Sequence, residues 1–463
     1  MKLAILFCAA AFGFGTAANA AGALSLDEAL ELLKSQNLEL KAAEYDVESA
    51  RESTSQASGR HWGSLDFIQN ISRSDDAGNV FGFKLTGREA NFGDFGADEF
   101  MSNFNACQGG DPAACAAMYT EPPESLNYPG DRNFFQSKLQ YTLPLYVGGK
   151  ISAYVAAAEG MERLKRLDRT KLLNEKIYET RKAYYDMRLL DEALSNLKTI
   201  LRNIGTLENM TQSMITEGYA KKTDLLEVQA KKSNVERSVN QMEANEALLY
   251  HYLSFLLNQP VASIALPDSD VAMPQLDATK IIEDNIDVRR AKAGLRIRES
   301  MEDVALADYL PTVGLQAEVQ TAADSFEHYT ADKGSYTVGV QLKWNLFAGG
   351  ADYAENEQAR IESLKTKTQI ELAKKGIALQ IDKIHTEIKS LDYEIEALAK
   401  ELALANEIYA SYEERYREQL ASMSDVVIKQ SLQIEKILAL LEVKNKRTER
   451  VFALEKLANG VTQ

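Results

Sequence analysis

Four stretches of the chain alternate between apolar and polar residues. In "SYTVGVQLKWNLF", Tyr336, Val338, Val340, Leu342, Trp344 and Leu346 share one face, and Thr337, Gly339, Gln341, Lys343 and Asn345 share the other. "YLPTVGLQAEVQT" sets Val313, Leu315, Ala317 and Val319 against Gly314, Gln316, Glu318 and Gln320. "NFFQSKLQYTLPL" sets Phe135, Leu139, Tyr141 and Leu143 against Gln136, Lys138, Gln140 and Thr142, and "SLDFIQNIS" at 64–72 repeats the pattern more weakly. A period of two predicts strands with one apolar face. Two β-hairpins are therefore expected, over about 60–147 and 309–347.

Two longer stretches follow the other period. Residues 151–217 contain no Pro, and Leu190, Leu194, Leu197, Leu201 and Ile204 recur at 4-3-4-3 spacing. Residues 352–418 behave alike through Ile370, Leu372, Ile377, Leu379, Ile381, Ile384 and Ile388. Such spacing predicts helices with the narrow apolar seam of coiled-coil packing. Each spans 67 residues, which at a rise of ~1.5 Å per residue gives about 100 Å of helix, more than a compact domain uses. Return helices are expected over about 224–258 and 424–458. They give helical hairpins at 151–258 and 352–458. At each return a Thr or Ser precedes Asp and an apolar pair, as an N-cap would.

The chain repeats itself. "LPLYVGGKI" at 143–151 returns as "WNLFAGGAD" at 344–352, with Gly149 and Gly350 201 residues apart, and the turn residues Asp224 and Asp425 keep the same separation. An earlier segment, "SQNLELKAAEYDVESARES", resembles "EDNIDVRRAKAGLRIRES", but Asn37 and Asn285 are 248 residues apart. The 47 extra residues fall in the Phe-, Gly- and Asn-rich stretch near 86–131, read as a long inserted loop in the first copy. Internal repetition of this kind organises the whole reading: a first repeat over 21–258, a connector over 259–281 and a second repeat over 282–463.

Composition narrows the compartment and the chemistry. A short apolar run after Lys2, ending in "ANA", predicts a signal peptide over 1–20 and export. Cys107 and Cys115 are then the cysteines of the mature chain, and export makes a small loop disulfide possible beside the alternative of two free thiols. A net charge of −16 argues against nucleic acid and against a polybasic membrane patch. No later segment reaches 18 consecutive apolar residues, so a membrane would be met through strands. His61, His251, His328 and His385 are scattered without ligand spacing, and no phosphate-binding glycine loop is present. The chain is expected to be no enzyme and to hold no cofactor or metal.

Strands of about ten residues with Tyr and Trp near their ends suit a transmembrane barrel. Four strands cannot close one, and an open edge in lipid is forbidden, so several chains must contribute. The ordered set of a signal peptide, "LSLDEALELLKSQN", paired hairpins, "LPLYVGGK" and "LFAGGA" resembles the TolC family of outer-membrane efflux proteins. The resemblance implies an α+β membrane protein. Three subunits would give four strands each to a twelve-stranded barrel, and long helices would continue it as a periplasmic tunnel belted near 260–285. It further implies a homotrimer in outer-membrane lipid, a periplasmic adaptor and an inner-membrane transporter, with small molecules leaving passively.

By the same resemblance Asp224 and Asp425, with Glu227 one turn further on, ring the periplasmic constriction, where three carboxylates per ring would attract cations. The alternative for both Asp residues is a helix N-terminal role, and the two roles are compatible. Tyr416 is a candidate hydrogen-bond partner across the hairpins. Ala421 and Ile428 stand where the family places a basic and an acidic residue, so its usual network of tip links is not expected here. Gly218, Tyr219, Gln419 and Leu420 would meet an adaptor, although the family's small-apolar tip pattern is only loosely present. Gly148, Gly149, Gly349 and Gly350 would mark the passage from barrel to helix. The same architecture also serves type I secretion of polypeptides, and a periplasmic coiled-coil scaffold is a third reading.

Overall fold

A computed structural model describes residues 23–459; the signal-peptide expectation falls outside them. In chain order the elements are α1 (Leu26–Gln36), α2 (Leu38–Gly59), β1 (Ser64–Ser74), α3 (Ala77–Thr86), α4 (Ala97–Gln108), α5 (Pro112–Thr120), α6 (Glu124–Asn127) and β2 (Arg132–Tyr146). Then come α7 (Lys150–Thr216), α8 (Lys222–Leu257), α9 (Ala278–Asp284), α10 (Ile286–Ala307), β3 (Thr312–Ala323), β4 (Ser335–Lys343), α11 (Ala351–Arg417) and α12 (Met423–Leu457). The chain divides into a helical unit (the described residues up to Glu48, Arg163–Lys292 and from Thr368 onward) and a sheet unit (Ser49–Glu162 and Ala293–Lys367).

In the helical unit the 4-3 spacing becomes a packed seam. Leu197 and Ile204 of α7 are fully buried and share a core with Val228 of α8, Tyr409 of α11 and Val426 of α12. A second cluster gathers Ala29, Leu33, Tyr184 and Leu256, and a third gathers Val288, Ile381, Ile388 and Phe452. Leu372 and Leu379 correct the sequence reading: they are 70% and 69% exposed, while Ile377 and Ile381 are buried. The helix carries two apolar lines, and periodicity alone does not tell which one the chain itself covers. The connector is also less helical than expected. Only Ala278–Asp284 forms a helix, and Ile264 instead makes a parallel bridge with Leu24.

The paired asparagines explain their own repetition. Asn37 donates from Nδ2 to the carbonyl of Leu256 at 2.8 Å and accepts at Oδ1 from the N–H of Leu40 at 2.9 Å. Asn285 donates to the carbonyl of Leu457 at 2.9 Å and accepts from the N–H of Asp287 at 2.9 Å. Each buried amide caps the start of α2 or α10 and satisfies a carbonyl at the end of a return helix, which would otherwise lack an intrahelical partner.

The sheet unit holds one antiparallel sheet in the order β1-β2-β3-β4. The register aligns Phe67, Leu139, Val319 and Tyr336 in one row, and Asp66, Gln140, Glu318 and Thr337 in the next. One face is therefore apolar and exposed, with Phe67 at 69% and Val340 at 64%. The other is polar: Asn70 donates to Gln136 at 2.8 Å, Gln136 donates to Gln320 at 2.6 Å, and Lys138 pairs with Glu318 at 3.2 Å. Two corrections belong here. β4 ends at Lys343, so Trp344 and Leu346 lie beyond it. The stretch near 86–131 is a folded insert of short helices and not a long loop, because its turn residues serve as caps. Asp76 caps α3 at the N–H of Asn79, and Asp111, followed by Pro112, caps α5. Cys107 and Cys115 are joined in a disulfide that ties α4 to α5.

Asn37→Ala and Asn285→Ala should each destabilise the helical unit by about 2–3 kcal/mol, through a lost cap and a stranded carbonyl. Urea unfolding of detergent-solubilised protein reads the shift against the exposed-site control Asn234→Ala, and midpoints equal to that control would contradict the assignment.

Candidate functional site

Two features of the sequence repeat come out as matched backbone geometry. The first is the pair of turns between long and return helices. After α7, the N–H of Gly218 bonds the Ile215 carbonyl at 3.1 Å and that of Tyr219 bonds Met214 at 2.7 Å. After α11, the N–H of Gln419 bonds Tyr416 at 2.9 Å and that of Leu420 bonds Arg415 at 2.7 Å. Both are Schellman closures with the second residue past the helix in the left-handed region, at φ +82° for Gly218 and +65° for Gln419. The second turn thus reaches the same shape without a glycine, at the conformational cost a side chain pays there.

The return helices begin two residues earlier than the Thr/Ser–Asp pattern implied. The caps are Lys221 and Ser422, and Asp224 and Asp425 sit at the third helical position. Ser422 and Asp425 form a reciprocal capping box: Ser422 Oγ accepts from the Asp425 N–H at 3.1 Å and Asp425 Oδ2 accepts from the Ser422 N–H at 3.2 Å. Only half of it exists at the first turn, where Asp224 Oδ2 accepts from the Lys221 N–H at 3.1 Å and the lysine side chain has no acceptor to return. The Ser422 hydroxyl, and after it the backbone, hold the Asp425 carboxyl below the ordinary aspartate range. Both Asp residues therefore have the helix N-terminal role, and both stay partly exposed.

Glu227 accepts from Ser424 Oγ at 2.7 Å, which ties α8 to α12 just behind the turns. Ser424, read from the sequence as a cap candidate, matches Thr223 across 201 residues, and its bond to Glu227 was not foreseen. Missed altogether were Arg415 and Lys429, which set their cations 5.5 and 5.2 Å from the ring of Tyr412. Tyr416 is 4% exposed and packs in the core. Burial pushes its phenol above the ordinary value, the Thr211 side chain of α7 beside its hydroxyl opposes that push, and Asp224 adds to it. Tyr219 and Leu420, by contrast, are 61% and 65% exposed. Ala421 is half-buried and Ile428 exposed, and no ion pair forms at either.

The second feature is the Gly-Gly junction. Lys150 N–H bonds the Val147 carbonyl at 3.1 Å and Ala351 N–H bonds Ala348 at 3.2 Å. The intervening pairs are all left-handed, at φ +64° and +82° for Gly148 and Gly149 and +66° and +87° for Gly349 and Gly350. Two consecutive positive φ values mark a type I′ turn, which glycine takes at least cost. The copies differ in surroundings. A Cβ on Gly148 would meet the Ala307 carbonyl oxygen at 2.8 Å, whereas nothing lies near Gly349. Lys150 also reaches Asp308 at 2.6 Å, a bond Ala351 cannot make. Among the described residues no cluster of His, Cys, Asp and Glu could hold a metal ion, and no helix is long and apolar enough to cross a membrane.

One comparison concerns the second repeat. Residues 278–460 match the family described as outer membrane efflux protein. The fold match extends over nearly the whole chain. CusC aligns with TM-score 0.75 at 14% identity, covering 94% of this chain and 92% of that one. The VceC outer membrane protein of Vibrio cholerae aligns with TM-score 0.73 at 15% identity, covering 94% and 96%. The MtrE outer membrane channel of Neisseria gonorrhoeae aligns with TM-score 0.72 at 16% identity, covering 94% and 89%. A search of curated protein sequences finds no match. This chain thus shares the fold of those outer membrane channels, and its second repeat carries the efflux-family pattern.

Gly218→Ala should lower stability by about 1 kcal/mol, and Gln419→Gly should raise it by about 0.5–1 kcal/mol, because the same left-handed position changes hands in opposite directions. Thermal midpoints in detergent measure both. Shifts of the same sign would show that the two turns are not equivalent.

Proposed function

We propose that this protein is a passive exit duct of the outer membrane. Three copies contribute their four-stranded sheets to one closed twelve-stranded barrel, and their helical units line a periplasmic tunnel. The observation that carries the reading is the sheet itself: an exposed apolar face, a polar face laced by amides, and two edge strands without partners. In lipid such a sheet must close through further copies. The efflux-family match over 278–460 and the channel fold support the same reading. The second apolar line on α11, at Leu372 and Leu379, is open for a neighbouring copy.

The duct carries no catalytic machinery, and energy comes from an inner-membrane pump. Small molecules reach it through a periplasmic adaptor, for which the exposed Tyr219 and Leu420, with Gly218 and Gln419 holding the turns, offer a docking tip. Three-fold repetition makes Asp224 and Asp425 rings of carboxylate at the periplasmic constriction, with Glu227 bracing them through Ser424. Capping and ring roles are compatible, since a carboxylate that accepts one backbone N–H keeps its charge and further lone pairs.

Mature protein should require detergent for extraction and appear in electron micrographs as three-fold hollow particles; a monomer that extracts into buffer would overturn the duct. In planar bilayers, Asp224→Ala combined with Asp425→Ala should raise conductance and move the reversal potential in a salt gradient toward zero. The Asp425 part of that difference should be as large at pH 5 as at pH 7, because its carboxyl is charged above a value already held below the ordinary one and loses charge only as pH falls through it. Unchanged conductance and selectivity would remove these residues from the constriction.

A further inference from the structure

The insert between β1 and β2 does not simply project from the sheet. Phe83 of α3 stacks on Phe134 with ring centroids 4.2 Å apart and planes 12° from parallel. Phe134 stands on the same side of β2 as Gln136 and Lys138, the polar side of the sheet, and is 8% exposed. Ala322, on the polar side of β3, is fully buried, and a Cβ on Gly87 would come within 3.1 Å of its carbonyl oxygen. Glu89 pairs with both Arg132 and Lys333, and Arg88 donates to the Asp332 carbonyl at 2.9 Å, so the insert is latched to the connection between β3 and β4. That connection lies on the other side, where Phe326 meets Phe135 at 4.6 Å.

The rest of the insert is built on α3. Phe81 meets Phe95 edge-on at 5.0 Å, Lys84 pairs with Asp94, Ser125 Oγ donates to the Gly93 carbonyl at 3.0 Å, and the disulfide holds α4 to α5. Its charge is one-sided. Residues 75–131 contain ten Asp and Glu against two Lys and Arg. A groove of about 690 Å³ beside α4 and α5 is lined by Phe95, Phe100, Tyr119, Asp98, Glu99 and Glu121, with no basic side chain in its wall. The polar face of the strands is nearly balanced by comparison, with Asp66 and Glu318 against Arg132, Lys138 and Lys343.

We propose that the insert is a selectivity filter inside the barrel, seated on the lumenal face at the end of the sheet away from the Gly-Gly junctions, where it narrows the mouth and favours cationic over anionic cargo. The proposal rests on the duct reading, because the polar face is lumenal only if the sheets close. Three inserts then crowd one lumen, and the carboxylates left over after Arg73, Arg132 and Lys333 pair with Asp131 and Glu89 face a restricted volume and set the local potential. The filter is separate from the Asp224 and Asp425 rings and acts in series with them.

Two variants test it in planar bilayers with a salt gradient. In the first, residues 75–131 are replaced by an Asn-Gly turn; in the second, the insert is kept and Asp98→Asn is combined with Glu121→Gln. The first should raise single-channel conductance about twofold or more and move the reversal potential toward zero. The second should move the reversal potential in the same direction with conductance nearly unchanged. If the shortened chain forms no channel, the charge variant decides alone. Wild-type conductance and reversal potential in every variant that conducts would overturn the filter while leaving the duct intact. Absence of any channel from the unaltered protein would instead overturn the duct.

Discussion

Each edge strand of the sheet, β1 and β4, has one side with no neighbouring strand among the described residues, and so presents a row of backbone N–H and C=O groups outside any ladder. In water that would be an aggregation hazard, and in hydrocarbon each unpaired group costs several kcal/mol. In the proposed duct the exposed apolar face would meet hydrocarbon, where the edges cannot stay open. Closure by further copies would make the polar face lumenal, where amides and hydroxyls belong. The chain turns sharply from strand to helix after β2 and beyond β4, and the two Gly-Gly pairs supply left-handed backbone at those points. Two hairpins of each kind per chain match its internal repetition.

The repeat conserves backbone geometry more faithfully than side chains. Gly218 and Gln419 close the same Schellman turn, and Lys221 and Ser422 open the same return helix with unequal caps. Gly148 is pressed against the end of α10 while Gly349 stands free. Where one side chain must serve two backbone groups at once, as at Asn37 and Asn285, both copies hold the same residue. A short amide with a donor and an acceptor on one planar group has few substitutes in that task. The turns tolerate variation because many residues cap a helix, and several reach the left-handed region at modest cost.

Much of this was legible in the residues. Strand positions, the assignment of faces, both long helices, the 201-residue offset and the Gly-Gly junctions follow from local period and punctuation, which are properties of neighbouring residues. The candidate site was half legible. Asp224 and Asp425 are at the turns as expected, but the caps lie at Lys221 and Ser422, because Thr223–Asp and Ser424–Asp imitate a cap two residues late. Ser424 was legible as a cap candidate but not as the donor to Glu227, because that bond joins residues 197 apart.

The sequence by itself determined which segments are strand and which are helix, which strand face is apolar, and that the chain is built twice. It did not determine which of two apolar lines on α11 is covered within the chain. Ile381 is buried and Leu379 exposed through packing against distant helices, and period records only that each could be buried. Nor did it show that the glycine- and asparagine-rich insert is folded, or that it lies on the polar face of the sheet. Gly, Asn and Asp mark a change of backbone direction equally well in a loop and at the ends of short helices. Only the stacking of Phe83 on Phe134, between residues 51 apart, decides where those helices rest.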